Sequence, residues 1–141
     1  MDPATLQFIE SHRAAEQSHL DLFVALLPEH KQTRLLPLWR MAGFTLGLAP
    51  ALVSDRALFL TVEAVETFVE AHYHEQIEPL RLHGRCPELV ALLEHCCADE
   101  VHHKDDAAER SGGGQPNALE RAWMALVKLG SAVAAELARR V

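Results

Sequence analysis

A chain of 141 residues, 49% of them hydrophobic, is the size of one core, so a single domain over residues 1–141 is expected. A net charge of −7 with no long basic run excludes nucleic acid as a partner, because that binding needs clustered Lys and Arg to displace counterions. Three cysteines at irregular spacing exclude a disulfide framework, and with no basic leader and apolar core ahead of the first helix the expected compartment is a reducing cytoplasm.

Apolar residues recur at spacings of three and four, and no alternating run reads as a strand, so an all-α fold of five helices is predicted. The first helix opens after Asp2 as cap, with Pro3 in its first turn, and closes before Pro28. Its inward stripe is Leu6, Ile9, Glu16, His19, Phe23 and Leu26. The second covers about Gln32 to Leu48 and is expected to bend near Pro37 and Gly43. It lies in the apolar stretch LLPLWRMAGFTLGLAPALV, residues 35–53, broken by Pro37, Arg40 and Pro50. That stretch is too interrupted for a membrane span. A helix lying in the membrane surface suits it, with Trp39 at headgroup level and Arg40 reaching for phosphates, although on composition alone a core helix or a dimer face accounts for it better.

Ser54 caps the third helix, whose stripe is Phe59, Val62, Glu66, Val69, Tyr73 and Ile77; Pro79 should kink or end it ahead of His83 and Gly84. Pro87 starts the fourth, with the stripe Leu89, Leu93, Cys96, Glu100, His103 and Ala107 and a stop at Ser111 and the glycines after it. Asn117 caps the fifth, whose stripe is Leu119, Trp123, Leu126, Gly130, Ala134 and Leu137.

Glu16/His19 and Glu100/His103 are two Glu-x-x-His pairs, each inside an apolar stripe. At that spacing a carboxylate and an imidazole leave the same helix face, here the one that turns to the core. Buried carboxylates need a proton or a cation, so two such pairs facing one interior call for a metal, with iron or manganese the natural candidates. Glu66 adds a third inward acid; Glu63 and Glu70 flank it at helical spacing and leave its register open by one turn. Bundles that hold a carboxylate-bridged pair of irons use a lone Glu from each of two helices and a Glu-x-x-His pair from each of the other two. A zinc site from His95, Cys96, Cys97, His102 and His103 is disfavoured, because those residues follow one another on one helix without the loop spacing that makes thiolates converge. His12, His30, His74 and His83, with Arg13 and Arg40, read as surface residues.

AAEQSHLDLF, LLPLWRMAGFTLG, TVEAVETFVEAHYHEQI and CADEVHHKDDA, in that order, resemble the demethoxyubiquinone hydroxylases of ubiquinone biosynthesis, which are ferritin-like di-iron proteins. The resemblance covers nearly the whole chain. It implies two irons per site, held by Glu16, His19, Glu66, Glu100 and His103, with His72 and Tyr73 beside them to orient ligands or meet the quinone head. It also implies a monooxygenase that uses dioxygen, and electrons from NADH or another donor, to hydroxylate the ring of a quinone with a polyprenyl tail. The 35–53 helix then becomes a membrane-contacting surface, and the protein a peripheral one on the cytoplasmic side of a bacterial inner membrane. The family's first helix carries an Asp-His-Ala-Gly-Glu block whose Glu is a further ligand, and no block here corresponds to it. An upstream segment, a homo-oligomer or a helix-supplying partner is expected to complete the site. The rival expectation is a non-catalytic bundle that binds lipid or quinone and holds metal weakly or not at all.

Overall fold

The computed structural model describes residues 2–28 and 32–140, so His30 lies outside the described residues. Among the described residues five helices follow in order: α1 (Pro3–Leu26), α2 (Leu36–Val53), α3 (Asp55–Leu82), α4 (Pro87–Arg110) and α5 (Ala118–Arg140). The described residues contain no strand, as the spacing predicts.

Local chemistry sets most boundaries. Ser54 closes α2 and opens α3 by itself: its N–H donates to Pro50 O at 3.1 Å while its Oγ accepts from Ala57 N at 3.0 Å. A one-residue link forces the chain to reverse there. Asn117 Oδ1 accepts from the N–H groups of Leu119 and Glu120, and Glu120 Oε2 accepts in return from Asn117 N at 2.7 Å, a reciprocal cap that starts α5. Between α3 and α4 the backbone turns through Gly84 (φ 58°) and Cys86 (φ 47°), left-handed positions that glycine adopts freely and cysteine does not.

The proline expectations need two corrections. Pro37 does not bend α2 but sits in its first turn, where its missing N–H would have had no intrahelical partner; the helix starts at Leu36 rather than Gln32. Pro50 and Pro79 sit inside the last turns of α2 and α3, which run on to Val53 and Leu82. So late in a helix each proline frees one carbonyl, and for Pro79 that carbonyl belongs to the exposed Glu75, which water can satisfy.

Cross-helix pairs give the directions. Thr5 meets Asp55, Phe8 meets Phe59, His12 meets Glu66 and Phe23 meets Tyr73, so α1 and α3 run parallel. Glu16 meets His103 and Arg110 lies over the Phe8 ring, so α4 runs against α1. Lys104 pairs with Glu70 and Arg81 with Glu94, which makes α3 and α4 antiparallel. Arg56 pairs with Glu120 and Trp123 Nε1 donates to Thr61 Oγ1, which sets α5 alongside α3.

Two apolar clusters, Tyr73, Ile77, Leu93, Cys96 and Cys97 at one end and Phe8, Phe59 and Ala107 at the other, enclose the acids and histidines between them. The α3 and α4 stripes face inward as predicted. On α1 the buried residues are Thr5, Phe8 and His19, while Leu6 and Leu26 are exposed, so the inward seam begins one position away from the predicted one. On α5 the buried residue is Val127, and Leu119 is 81% exposed, outside the stripe assigned to it.

Candidate metal centre

Where α1, α3 and α4 converge, the five side chains singled out by spacing share one interior. Glu100 and Glu66 are almost fully buried, His19 is buried, and His103 and Glu16 are half-buried. Glu100 stands between two imidazoles, its Oε1 3.1 Å from His19 Nδ1 and its Oε2 3.4 Å from His103 Nδ1. Glu16 Oε1 lies 3.6 Å from His103 Nδ1. The donors fall into two groups with atoms mutually within 4.8 Å, one made of Glu16, His19 and Glu100 and the other of His12, Glu16 and His103. Glu16 belongs to both, as a carboxylate bridging two cations would. The register left open on α3 resolves to Glu66, because Glu70 turns to Lys104.

Asp99 escaped the sequence reading. Its Oδ2 is 3.1 Å from His19 Nε2, so this carboxylate holds one imidazole nitrogen while the other points at Glu100, the outer support that metal-binding histidines usually have. Its place next to Glu100 in an Asp-Glu step was the available signal. His12 was read as a surface residue and is not one. Its side chain is 18% exposed, its ring stacks on Phe8 and its Nε2 is 3.4 Å from Glu66 Oε1. The steps 5, 8, 12, 16, 19, 23 along α1 form an unbroken inward seam, a pattern the Leu6–Ile9 reading obscured.

Tyr73 and His72 part company. Tyr73 is buried, its ring 6.4 Å from Phe23, and burial first and then the neighbouring Cys96 push the phenol well above its ordinary value. His72 turns the other way: it stacks on Phe68, and its Nδ1 lies 3.6 Å from Glu75 Oε2 and 3.5 Å from an Arg139 nitrogen.

The electrostatics are those of a crowded acid cluster. Burial, then the charges of Glu100 and Glu66, push Glu16 up to about 7; burial, then the charge and hydrogen bond of Glu100, push Glu66 up to about 8. Burial also acts to raise Glu100, but the His103 hydrogen bond and the His19 charge outweigh it and hold that carboxyl below its usual range. The two neighbouring acids are thus pushed apart, Glu66 upward and Glu100 downward. Glu16 Oε1 is buried with no hydrogen-bond partner among the described residues. An orphaned carboxylate oxygen among further carboxylates and imidazoles is a donor set that fits a pair of hard, imidazole-tolerant cations.

Against this geometry the comparisons with known proteins are decisive. The family described as Ubiquinone biosynthesis protein COQ7 matches residues 1–138. The chain belongs to this family. Among its relatives, the NADPH-dependent 3-demethoxyubiquinone 3-hydroxylase of Dictyostelium discoideum is 33% identical over 129 residues, 89% of this chain and 58% of that protein. The 3-demethoxyubiquinol 3-hydroxylase of Rhodospirillum rubrum is 33% identical over 94 residues, 65% of this chain and 43% of that protein. The 5-demethoxyubiquinone hydroxylase of Saccharomyces cerevisiae is 41% identical over 86 residues, 52% of this chain and 37% of that protein. The chain spans about half the length of the curated relatives it matches. For this COQ7 family member, the blocks quoted from the sequence fall on the helices that build the centre: AAEQSHLDLF on α1, TVEAVETFVEAHYHEQI on α3 and CADEVHHKDDA on α4.

Proposed function

We propose that this chain is a di-iron monooxygenase that hydroxylates the ring of a demethoxyubiquinone-type quinone. The observation that carries the reading is the convergence of His19, Glu100 and His103 on the shared, partly orphaned Glu16 carboxylate, with Glu66 buried in the same interior. These five residues would hold the irons. When bound, such a pair supplies the activation of dioxygen, one atom of which enters the ring as hydroxyl while the other leaves as water with two electrons from a reduced nicotinamide or another donor.

The chain's own groups do the rest. Asp99 fixes the His19 ring, and Glu66 sets a buried carboxyl beside the His12 ring. Tyr73 keeps its own proton, held by burial, and lies between the centre and the Cys96 side of the core. His72, on the Arg139 side, has no contact with the acid cluster among the described residues, so of the two Tyr73 is the better placed to act near the ring. Beside the centre a cavity of about 390 Å³ is lined by His12, Glu16 and Glu66 on one side and by Leu46, Leu58 and Val65 on the other. Its apolar wall suits a flat ring, and Gly43 and Gly47 keep the α2 side of it low. A second, largely apolar groove of about 690 Å³ runs between α2 and α5 past Trp39 and Trp123 and suits a polyprenyl tail.

α2 supports a membrane-surface role. It has the length and composition of a membrane-crossing helix, with mean hydropathy 1.3, and of its 18 residues Pro50 is the one that is buried. Met41, Phe44, Leu48 and Leu52 are all exposed and recur at helical spacing on one face, which would sit among acyl chains at the cytoplasmic face of the membrane. Trp39 does not join them; it turns toward α5.

The test is a single turnover. The chain is loaded anaerobically with ferrous iron, given a chemical reductant and a short-tailed demethoxyquinone, and exposed to isotopically heavy dioxygen. One heavy oxygen atom in the product ring is expected. A chain carrying two irons that returns the quinone unchanged would leave the non-catalytic lipid- or quinone-binding reading in its place.

A further inference from the structure

We infer that His12 is a metal ligand of this centre, a third imidazole beside His19 and His103. The inference rests on the di-metal reading above and adds to it a residue outside the ligand set carried over by resemblance.

Geometry puts the ring in place. His12 precedes Glu16 by one helical turn, so on α1 the two side chains stand one above the other on the inward seam. Donor atoms of His12, Glu16 and His103 lie within 4.8 Å of one another, near enough to share one cation. The His12 and His103 rings meet edge to face with centroids 4.6 Å apart, and stacking on Phe8, at 5.6 Å and 8° between planes, fixes the His12 ring orientation.

A core histidine satisfied by a carboxylate would be the plain alternative, and the hydrogen-bond inventory speaks against it. Nε2 is 3.4 Å from Glu66 Oε1, longer than a good hydrogen bond. Nδ1 is buried and has no partner among the described residues. Leaving a buried imidazole nitrogen unpaired costs about 1–3 kcal/mol, so a well-placed ring with one weak contact is poor structural engineering and good ligand placement.

With His12 in the set the two metal positions differ. The one bounded by Glu16, His19 and Glu100 has one imidazole, and the one bounded by His12, Glu16 and His103 has two. Nitrogen in place of carboxylate oxygen gives the second position a lower negative charge.

High-spin cobalt(II) can count the imidazoles directly, because each coordinated ring keeps one N–H whose proton resonance is shifted far outside the normal range and disappears in heavy water. The full chain loaded with cobalt is expected to show three such resonances, and His12→Gln to lose one while keeping the other two. Cobalt affinity at one of two sites should fall at least tenfold in that variant, and added imidazole should restore it in His12→Ala. Two resonances in the parent chain, unchanged in His12→Gln, overturn the assignment and leave the centre standing on His19 and His103. No stoichiometric cobalt, or resonances that survive both His19→Gln and His103→Gln, bring down the metal centre and the His12 assignment together. Should His12→Gln fail to fold, as helical circular dichroism would reveal, the parent count decides: three supports, two overturns.

Discussion

His19 Nδ1 lies 3.1 Å from Glu100 Oε1 although the two residues are 81 positions apart in the chain. That contact closes α1 onto α4 and aims both side chains at one point. It depends on Asp99, which holds the opposite nitrogen of the same ring at 3.1 Å. Asp99→Asn should therefore weaken metal binding without removing any ligand. A loss of about 10- to 100-fold in affinity is expected from such outer partners. Competition against a chelator of known strength would measure it, and unchanged affinity would show that Asp99 is a solvated surface acid.

Stability without metal should fall as pH rises from about 4.5 to about 8. Glu16 and Glu66 have folded-state values raised to about 7 and about 8, so across that window the folded chain holds protons that the unfolded chain has already released. His103, raised chiefly by its hydrogen bond to Glu100, also contributes stability that is lost as pH climbs. His12, lowered by burial, works in the opposite sense. Three groups against one give a declining midpoint in urea titrations of metal-stripped protein. Metal should reverse the trend, since it takes the place of those protons; a loaded protein with the same downward slope would mean that the acids do not ligate.

The sequence made the pairs legible because both lie within long, strongly periodic helices where one residue of slip would expose every apolar neighbour. Glu66 could be narrowed to three candidates but not fixed, since Glu63, Glu66 and Glu70 satisfy the same helical spacing; Lys104, which claims Glu70, is brought there by the tertiary fold. His12 was hidden because Leu6 and Ile9 look like better core residues than Thr5 and Phe8. Hydrophobicity alone does not reveal that Phe8 must meet Phe59, at 5.2 Å and nearly at right angles. Trp39 was misplaced for a related reason: an apolar helix offers several faces, and which one meets α5 depends on Trp123 and its neighbours.

Trp123 is tied to α3 by one hydrogen bond, from its Nε1 to Thr61 Oγ1 at 2.8 Å, while the same hydroxyl donates to Ala57 O at 2.7 Å. Thr61→Val keeps the shape and strips both bonds, leaving the indole N–H without its acceptor. A destabilisation of about 1–2 kcal/mol is expected. Adding Trp123→Phe, which removes the orphaned donor, should cost less than the sum of the two single changes. Simple additivity in denaturant titrations would show that the contact contributes little.

α2 offers the sharpest separation between a core helix and a lipid-facing one, because its two kinds of aromatic residue face different ways. Phe44 is 67% exposed and shares a face with the exposed Met41, Leu48 and Leu52, whereas Trp39 is half-buried in the groove against α5. Placing one large apolar side chain among acyl chains is worth about 1.5–3 kcal/mol, so Met41→Ser with Phe44→Ser should weaken binding to liposomes by about 3–6 kcal/mol. Helical content and thermal midpoint should change little, as neither side chain packs in the core. Trp39→Ser should do the converse, lowering the midpoint by opening the groove while leaving the lipid-facing stripe intact. If the double substitution unfolds the chain, or binds liposomes as tightly as the parent, then the Met41–Leu52 face meets protein rather than lipid.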